Sequence, residues 1–282
     1  MRVTDAGPRR AAFRRLHESG CFAIPNPWDA GSARYLRYLG FPALATTSSG
    51  FAFSKGLPDE DWAVPVELML AHVEEIAGAV DLPVNADFKS CYGDDAEGVA
   101  ENVRLCAATG VAGLSIEDRT GNPIRPLYDL PVAIERVRAA RAALDRAAPD
   151  VLLTARAECY LTGHPDPLHE AIRRLEAYAE AGADVLYAPG PHTREEIQAI
   201  VAAAAPKPVN VLISANVGLR MADLAEMGVR RVSVGSALAR AAWSGFIRAA
   251  QAIAREGSFE GLEGAASARE LNDFFAEAAK TR

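Results

Sequence analysis

The chain has 282 residues, half of them hydrophobic and 24% charged, which fits one α/β barrel domain over 1–282 with a sizeable core and argues against disorder. Thirty basic against 37 acidic side chains leave a net charge of −7, and the arginines are spread over many helical stretches, so no nucleic-acid partner is expected. No apolar run approaches the roughly 20 residues of a membrane span, and the Arg-rich first 20 residues lack a hydrophobic signal core, so the expectation is a cytoplasmic protein with no membrane partner. Cys21, Cys91, Cys106 and Cys159 show neither CxxC pairing nor zinc spacing, which fits a reducing compartment.

In chain order, an N-terminal helical pattern precedes strands expected at 22–25, 43–47, 84–87, 113–117, 151–156, 185–188, 209–213 and 231–235. Gly40, Gly110, Gly182 and Gly228 stand before four of these strands, where glycine closes the preceding helix because it takes the left-handed cap conformation without steric cost. The apolar run Val151-Leu152-Leu153 suits a sheet buried on both faces. Eight strands alternating with helices close into a (β/α)8 TIM barrel; an open doubly wound sheet shares the alternation, but no GxGxxG opens the first helix. Helical patterns at 238–256 and 265–279 run past the eighth strand as extra C-terminal elements, suited to packing on a neighbouring subunit.

In such a barrel the C-terminal strand ends carry function. They carry here Asn26, Trp28 and Asp29, then Thr47, Ser48, Ser49 and Gly50, then Asp87 and Lys89, followed by Glu117, Asp118 and Arg119. Arg156, Glu158, Tyr187 and Asn210 complete the set. Asp87 and Glu117 end adjacent strands, and all-oxygen ligation of that kind suits Mg2+ or Mn2+ and disfavours zinc. The same acids are equally placed to pair with Lys89, Arg119 or Arg156 in a structural network. Arg156 must find an anion, because an unpaired buried guanidinium is costly, and its fork suits a substrate carboxylate. The Ser49-Gly50 turn offers backbone N–H groups to an oxyanion. The five histidines lie mostly on helices or beside a Pro-rich turn, which speaks against a Ser/His/Asp triad.

Several stretches together resemble the isocitrate lyase and phosphoenolpyruvate mutase superfamily, over about residues 13–275. They are Pro27-Trp28-Asp29-Ala30-Gly31-Ser32-Ala33-Arg34, Thr47-Ser48-Ser49-Gly50, Pro83-Val84-Asn85-Ala86-Asp87, Tyr92-Gly93 and Gly110-Val111-Ala112-Gly113-Leu114-Ser115-Ile116-Glu117-Asp118. Ala155-Arg156-Ala157-Glu158 and Ala181-Gly182-Ala183-Asp184 continue the match. The resemblance implies a Mg2+-dependent barrel, a homotetramer or dimer with a helix swapped between neighbours, acting on C–C or C–P bonds beside a 2-oxo acid. It implies Asp87 as the main metal-shell carboxylate with Glu117 and Asp59 supporting it, Ser49, Gly50 and Phe51 cradling an enolate, and Arg156 holding the substrate carboxylate. Trp28 and Asn210 would line the same small anionic substrate.

The chain departs from the family pattern in three places. The metal motif, usually Asp-x-Asp-Thr-Gly-Tyr-Gly, reads Asp87-Phe88-Lys89-Ser90-Cys91-Tyr92-Gly93, so Lys89 replaces the second acid and is either a weakening of the metal site or a cation for the enolate. The Lys-Lys/Arg-Cys-Gly-His gating loop is replaced by Arg119-Thr120-Gly121-Asn122-Pro123, which argues against isocitrate or methylisocitrate cleavage. Thr47 stands where the mutase has a Trp, and the gating loop is shorter, which argues against phosphoenolpyruvate mutase activity; the residues resemble the carboxyphosphonoenolpyruvate-mutase-like branch. The resulting expectation is a Mg2+-dependent lyase acting beside the 2-oxo group of a small 2-oxo acid or substituted malate. The alternatives are a phosphonomutase or phosphonopyruvate-type hydrolase, and a barrel that binds a 2-oxo acid without catalysis.

Overall fold

The computed structural model describes residues 6–60 and 63–280. Two compact units divide the chain, Met1–Ser236 and Ala237–Arg282.

The first unit is a (β/α)8 TIM barrel. Helix α1 (Gly7–Leu16) precedes β1 (Phe22–Ile24), α2 (Ala30–Tyr38), β2 (Leu44–Ala45), α3 (Ser48–Ser54), α4 (Val66–Ala79), β3 (Val84–Ala86) and α5 (Ala96–Ala108). There follow β4 (Gly113–Glu117), α6 (Leu130–Ala147), β5 (Leu152–Arg156), α7 (Pro167–Glu180), β6 (Val185–Tyr187), α8 (Arg194–Ala204), β7 (Val209–Leu212), α9 (Met221–Glu226) and β8 (Arg231–Ser233). All pairings are parallel, in the order β1-β8-β7-β6-β5-β4-β3-β2. The seam between β1 and β2 has no ladder, but Ala45 N–H donates to the Pro25 carbonyl at 3.1 Å. Asn26 reinforces it, donating from Nδ2 to the Thr46 carbonyl at 2.8 Å while its Oδ1 accepts from the Val234 and Gly235 amides at 3.0 and 2.9 Å.

Most of the expected strands end one or two residues early. Thr47 leaves β2 to cap α3, its side chain accepting from Gly50 N–H, so Ser48-Ser49-Gly50 is the first turn of a helix and not a loop.

Side-chain alternation sorts the strand residues into two layers. Leu153 and Ala155 pack outward against the helices, whereas Leu152, Thr154 and Arg156 face the lumen. The lower lumen is apolar: Phe22, Ile24, Ala43, Ala45, Leu152 and Val185 close around Phe13, which α1 inserts as a plug. Arg9 and Arg10 hold α1 in place through the Ala77, Ala107 and Val111 carbonyls near the ends of α4 and α5. Glycine is required at 113, because a Cβ there would lie 2.8 Å from Phe13 Cε1 and 2.7 Å from Asn85 Oδ1. Above the plug a polar layer of Thr154, Asn210, Arg231 and Ser233 crosses the lumen.

The second unit consists of α10 (Ala237–Glu256), a 3-10 turn (Glu260–Leu262) and α11 (Ala268–Lys280). Trp243, Phe246 and Ile247 on α10 and Leu271 and Phe275 on α11 recur at helical spacing and stay exposed. Among the described residues no helix is long and apolar enough to cross a membrane.

Candidate active site

Asp87 immediately follows β3, and Glu117 and Arg156 end β4 and β5. Arg156 meets three carboxylates: Nη1 lies 2.7 Å from Asp87 Oδ1, Nη2 lies 3.2 Å from Glu117 Oε2, and Nε lies 2.8 Å from Glu158 Oε1. Glu158 stands two residues beyond Arg156, and on extended backbone that spacing returns a side chain to the same face. The other Asp87 oxygen accepts from the Ser48 amide and hydroxyl, both at 2.9 Å, and the Asp87 N–H donates to Thr46 Oγ1 at 2.8 Å.

The balance is three carboxylates against one guanidinium, with Glu117 only 8% and Glu158 only 1% exposed. Burial pushes Glu117 up to about 8 despite the pull of Arg156, with Glu158 and Asp87 adding repulsion. Burial likewise raises Glu158 against the pull of Arg156. Burial works against charge on Arg156 as well, but Glu158, Glu117 and Asp87 together hold it well above the usual arginine range.

Asp118, the next residue after Glu117, points the other way, as strand alternation requires. Its Oδ1 accepts from the Glu158 amide at 2.9 Å, and its Oδ2 accepts from Arg174 Nη1 at 3.0 Å and Tyr178 Oη at 2.5 Å. Asp118 thereby ties the backbone of Glu158 to α7 and fixes where Glu158 meets Arg156.

Lys89 stands in the left-handed region at φ 46°, as do Cys91 at 61° and Tyr92 at 53°, and among the described residues no other non-glycine does. The segment is held there from outside. Asn102 donates to the Cys91 and Tyr92 carbonyls at 3.0 and 2.9 Å, and Arg136 donates to the Ser90 and Gly93 carbonyls at 2.9 and 2.8 Å. The Lys89 ammonium is buried, lying 3.0 Å from Asp59 Oδ1 and donating to the Glu60 carbonyl at 2.9 Å, and its charge also favours the ionised form of Glu117.

The remaining expected site residues are placed as follows. Asp59 is taken by Lys89 and by a very short hydrogen bond from Ser49 Oγ, and these hold its carboxyl below the usual range although burial opposes them. Its contacts are with Lys89 and Ser49, not with Arg156. The amides of Gly50 and Phe51 donate to Thr47 Oγ1 and the Thr47 carbonyl in the first turn of α3. The Phe51 ring is buried and stacks on His72 with centroids 3.7 Å apart. Asn210 lies inside the lumen with its amide engaged by Arg231 and Ser233, one layer below the rim. Trp28 is half-buried after β1, its backbone N–H donating to Ser32 Oγ. The expected clamp on a substrate carboxylate, Arg156, is already occupied by three acids. The sequence offered the Arg-Ala-Glu spacing as a signal for Glu158; it offered none for the long-range partners of Asp118.

Among the described residues no three His, Cys, Asp or Glu side chains form a ready-made metal cage. Arg156 stands between the acids. The donors nevertheless suit a hard cation: they are all oxygen, close together and carry more negative charge than Arg156 balances, which fits Mg2+ or Mn2+ held by one or two carboxylates with water and substrate completing the shell.

Residues 13–254 match the family described as phosphoenolpyruvate phosphomutase, and the chain belongs to it. It is an enzyme family of the isocitrate lyase and phosphoenolpyruvate mutase superfamily, whose members include C–C lyases and enzymes acting on phosphonates. A crystal structure from Burkholderia cenocepacia J2315, assigned provisionally as a lyase/mutase, is 48% identical with a TM-score of 0.90 and 96% of both chains covered. An oxaloacetate decarboxylase of Rhodopseudomonas palustris is 34% identical over 274 residues, 94% of this chain and 91% of the relative. A phosphonopyruvate hydrolase solved with oxalate and Mg2+ is 26% identical with a TM-score of 0.84, covering 97% of this chain and 96% of its own.

Were a cation held beside Glu117, the raised carboxyl would make its binding depend on pH. Between its ordinary 4.5 and about 8 the folded protein keeps a proton on Glu117 that the unfolded chain has lost, so this group's contribution to stability falls as pH rises through that window. A cation bound beside it displaces that proton, so Mg2+ affinity should rise up to about tenfold per pH unit between about pH 6 and 8 and level off above. Titration calorimetry checks this: Glu117→Gln should flatten the dependence, and a pH-independent affinity in the unsubstituted protein contradicts it.

Proposed function

We propose that the protein is a Mg2+- or Mn2+-assisted lyase that breaks a C–C bond beside the 2-oxo group of a small 2-oxo acid or substituted malate through an enolate. The observation that carries this reading is the convergence of Asp87, Glu117 and Glu158 on Arg156 at the barrel mouth, with excess negative charge. An anionic substrate is repelled by such a site unless a divalent cation reverses its sign. Asp87 and Glu117 would hold that cation, and when bound it supplies positive charge opposite the oxygen that becomes anionic as the bond breaks. Arg156 sets the spacing of the three acids and keeps them from collapsing or drifting apart. Asp118, through the Glu158 backbone, keeps the third acid in position. Lys89 takes no part in substrate binding in this reading; it secures Asp59 and the segment after α3. The 94% coverage of the Rhodopseudomonas palustris oxaloacetate decarboxylase supports placing 3-carboxylated 2-oxo acids first among the substrates. The four free cysteines support a reducing, cytoplasmic setting.

With Mg2+, the protein is expected to release a 2-oxo acid from at least one member of a panel of 3-carboxylated 2-oxo acids and substituted malates, followed by coupled reduction. Asp87→Ala should lower the rate about 10²–10³-fold, the cost typical of losing an electrostatic stabiliser of the transition state. No release, or equal rates for the variant, contradicts the reading. Phosphorus release or migration from a phosphonopyruvate, read by ³¹P NMR, would instead identify a C–P enzyme.

The exposed apolar stripes of α10 and α11 support assembly as a homotetramer or dimer in which these helices pack on a neighbouring copy. Light scattering should then give a mass of two or four times the 30.0 kDa chain, reduced by Phe246→Asp. A monomer at micromolar concentration contradicts this assembly.

A further inference from the structure

We propose that Arg136 is a positioning residue of this site: from α6, outside the strands, it ties the segment that follows Asp87 to the loop that follows Glu117, and so fixes the spacing of the two carboxylates assigned to the cation. It rests on the lyase reading for what those carboxylates hold, and on hydrogen bonds and one ring contact for how they are held.

Asp87 and Glu117 belong to the neighbouring strands β3 and β4, and beyond each the chain leaves the barrel. After Asp87 it does so by a costly course. Lys89, Cys91 and Tyr92 all carry a Cβ in the left-handed region, where it crowds the carbonyl oxygen, so groups outside the segment have to hold them there. The hydrogen bonds show which groups do. Every carbonyl oxygen from Phe88 to Asp94 has a donor. The Phe88 carbonyl accepts from the Cys91 amide at 2.8 Å and the Lys89 carbonyl from the Glu117 amide at 2.9 Å. The Cys91 and Tyr92 carbonyls accept from Asn102 on α5 at 3.0 and 2.9 Å. The remaining three belong to Arg136: Nη2 donates to the Ser90 and Gly93 carbonyls at 2.9 and 2.8 Å, and Nη1 donates to the Asp94 carbonyl at 3.2 Å. Arg136 is 2% exposed, and its planar fork can satisfy several carbonyls of one turn at fixed angles, which an ammonium on a flexible stem cannot.

The same guanidinium reaches the other loop. Its carbon lies 4.2 Å from the centroid of the Tyr128 ring, close enough for a cation–π contact. The Tyr128 N–H donates to the Asp118 carbonyl at 2.9 Å, and the Tyr128 carbonyl accepts from Arg174 Nη1 at 2.9 Å. Tyr128 thereby closes the loop 119–127 onto the residue that follows Glu117. Within that loop Arg119 and Leu127 pair as an antiparallel bridge, and the Thr120 N–H donates to the Pro126 carbonyl at 3.0 Å, so the position of its base is passed to the whole.

The two segments meet at the bond from the Glu117 amide to the Lys89 carbonyl, and Arg136 grips the chain on both sides of it. Arg136 also lines one small cavity with Glu117, Asp118 and Arg156, which places the grip directly behind the acid cluster. Mg2+ demands near-ideal octahedral placement of its oxygens, so a shift in the spacing of Asp87 and Glu117 costs affinity even where both carboxylates remain.

Arg136→Lys keeps the charge and a donor but loses the fork and the flat face over Tyr128. The folded variant should bind Mg2+ about tenfold more weakly by titration calorimetry, with kcat lowered by a similar factor. Amide hydrogen exchange separates this role from a local staple. Exchange should quicken within 88–94 and also at Glu117 and through 119–128, because the coupling runs through the Glu117 and Tyr128 amides. Tyr128→Phe keeps the ring and should match the unsubstituted protein, whereas Tyr128→Leu should match Arg136→Lys. Unchanged Mg2+ affinity in the folded Arg136→Lys protein, or quickened exchange confined to 88–94, overturns the proposal and leaves the lyase reading intact. If the unsubstituted protein neither binds Mg2+ nor releases a 2-oxo acid, the lyase reading falls and the exchange pattern alone decides the positioning role. Should Arg136→Lys fail to fold, Tyr128→Leu decides: unchanged affinity and unchanged exchange at Glu117 overturn the proposal.

Discussion

One buried guanidinium organises the mouth of this barrel. Arg156 is 13% exposed at its side chain and touches three carboxylates from β3, β4 and the extension of β5. Desolvating that many charges is expensive, and the attraction repays the cost only where geometry and further hydrogen bonds are good. Both conditions are met by residues that never touch the guanidinium: Ser48 holds the far oxygen of Asp87, and Asp118 holds the amide of Glu158 against α7. The cluster holds more carboxylates than guanidinium groups, and in the proposed reading that imbalance is what would draw a divalent cation, with an anionic substrate behind it.

The two lumen arginines make opposite use of burial. Arg156 is surrounded by acids and stays charged under any ordinary condition, so its work is to space them. Arg231, one layer down, meets Asn210, Thr154 and His17 and no carboxylate among these, so its charge is less fully compensated. An apolar plug below, an under-compensated cation in the middle and an excess of acid above give the lumen a polarity along its axis. The Tyr187 ring lies against Arg156, its centroid 5.0 Å from the guanidinium carbon.

The barrel was legible because its evidence is local and repeated: helix-stopping glycines before strands, buried strands with continuous apolar runs, and polar residues concentrated after them. Asp87, Glu117 and Arg156 were legible for the same reason, since strand-end position alone brings them together. What the sequence could not disclose was pairing. Whether Arg156 would meet a substrate or the distant Asp87, and whether Lys89 would enter the site or be drawn off by Asp59, depends on contacts 69 and 30 residues apart. The Ser-Ser-Gly segment was misjudged because a Thr cap turns a loop-like composition into a helix start. The last two helices were legible as extra elements beyond the eighth strand, but an amphipathic pattern does not say what their apolar faces cover.

The central claim, that the Arg156 cluster is a cation-dependent site for a 2-oxo acid, is tested most directly by a crystal structure grown with Mg2+ and oxalate. The account predicts an ion on Asp87, directly or through water, with oxalate completing its shell above Tyr187 and Arg156 still bound to its acids. An Arg156 cluster closed upon itself, with ion and oxalate absent or bound elsewhere, would contradict it.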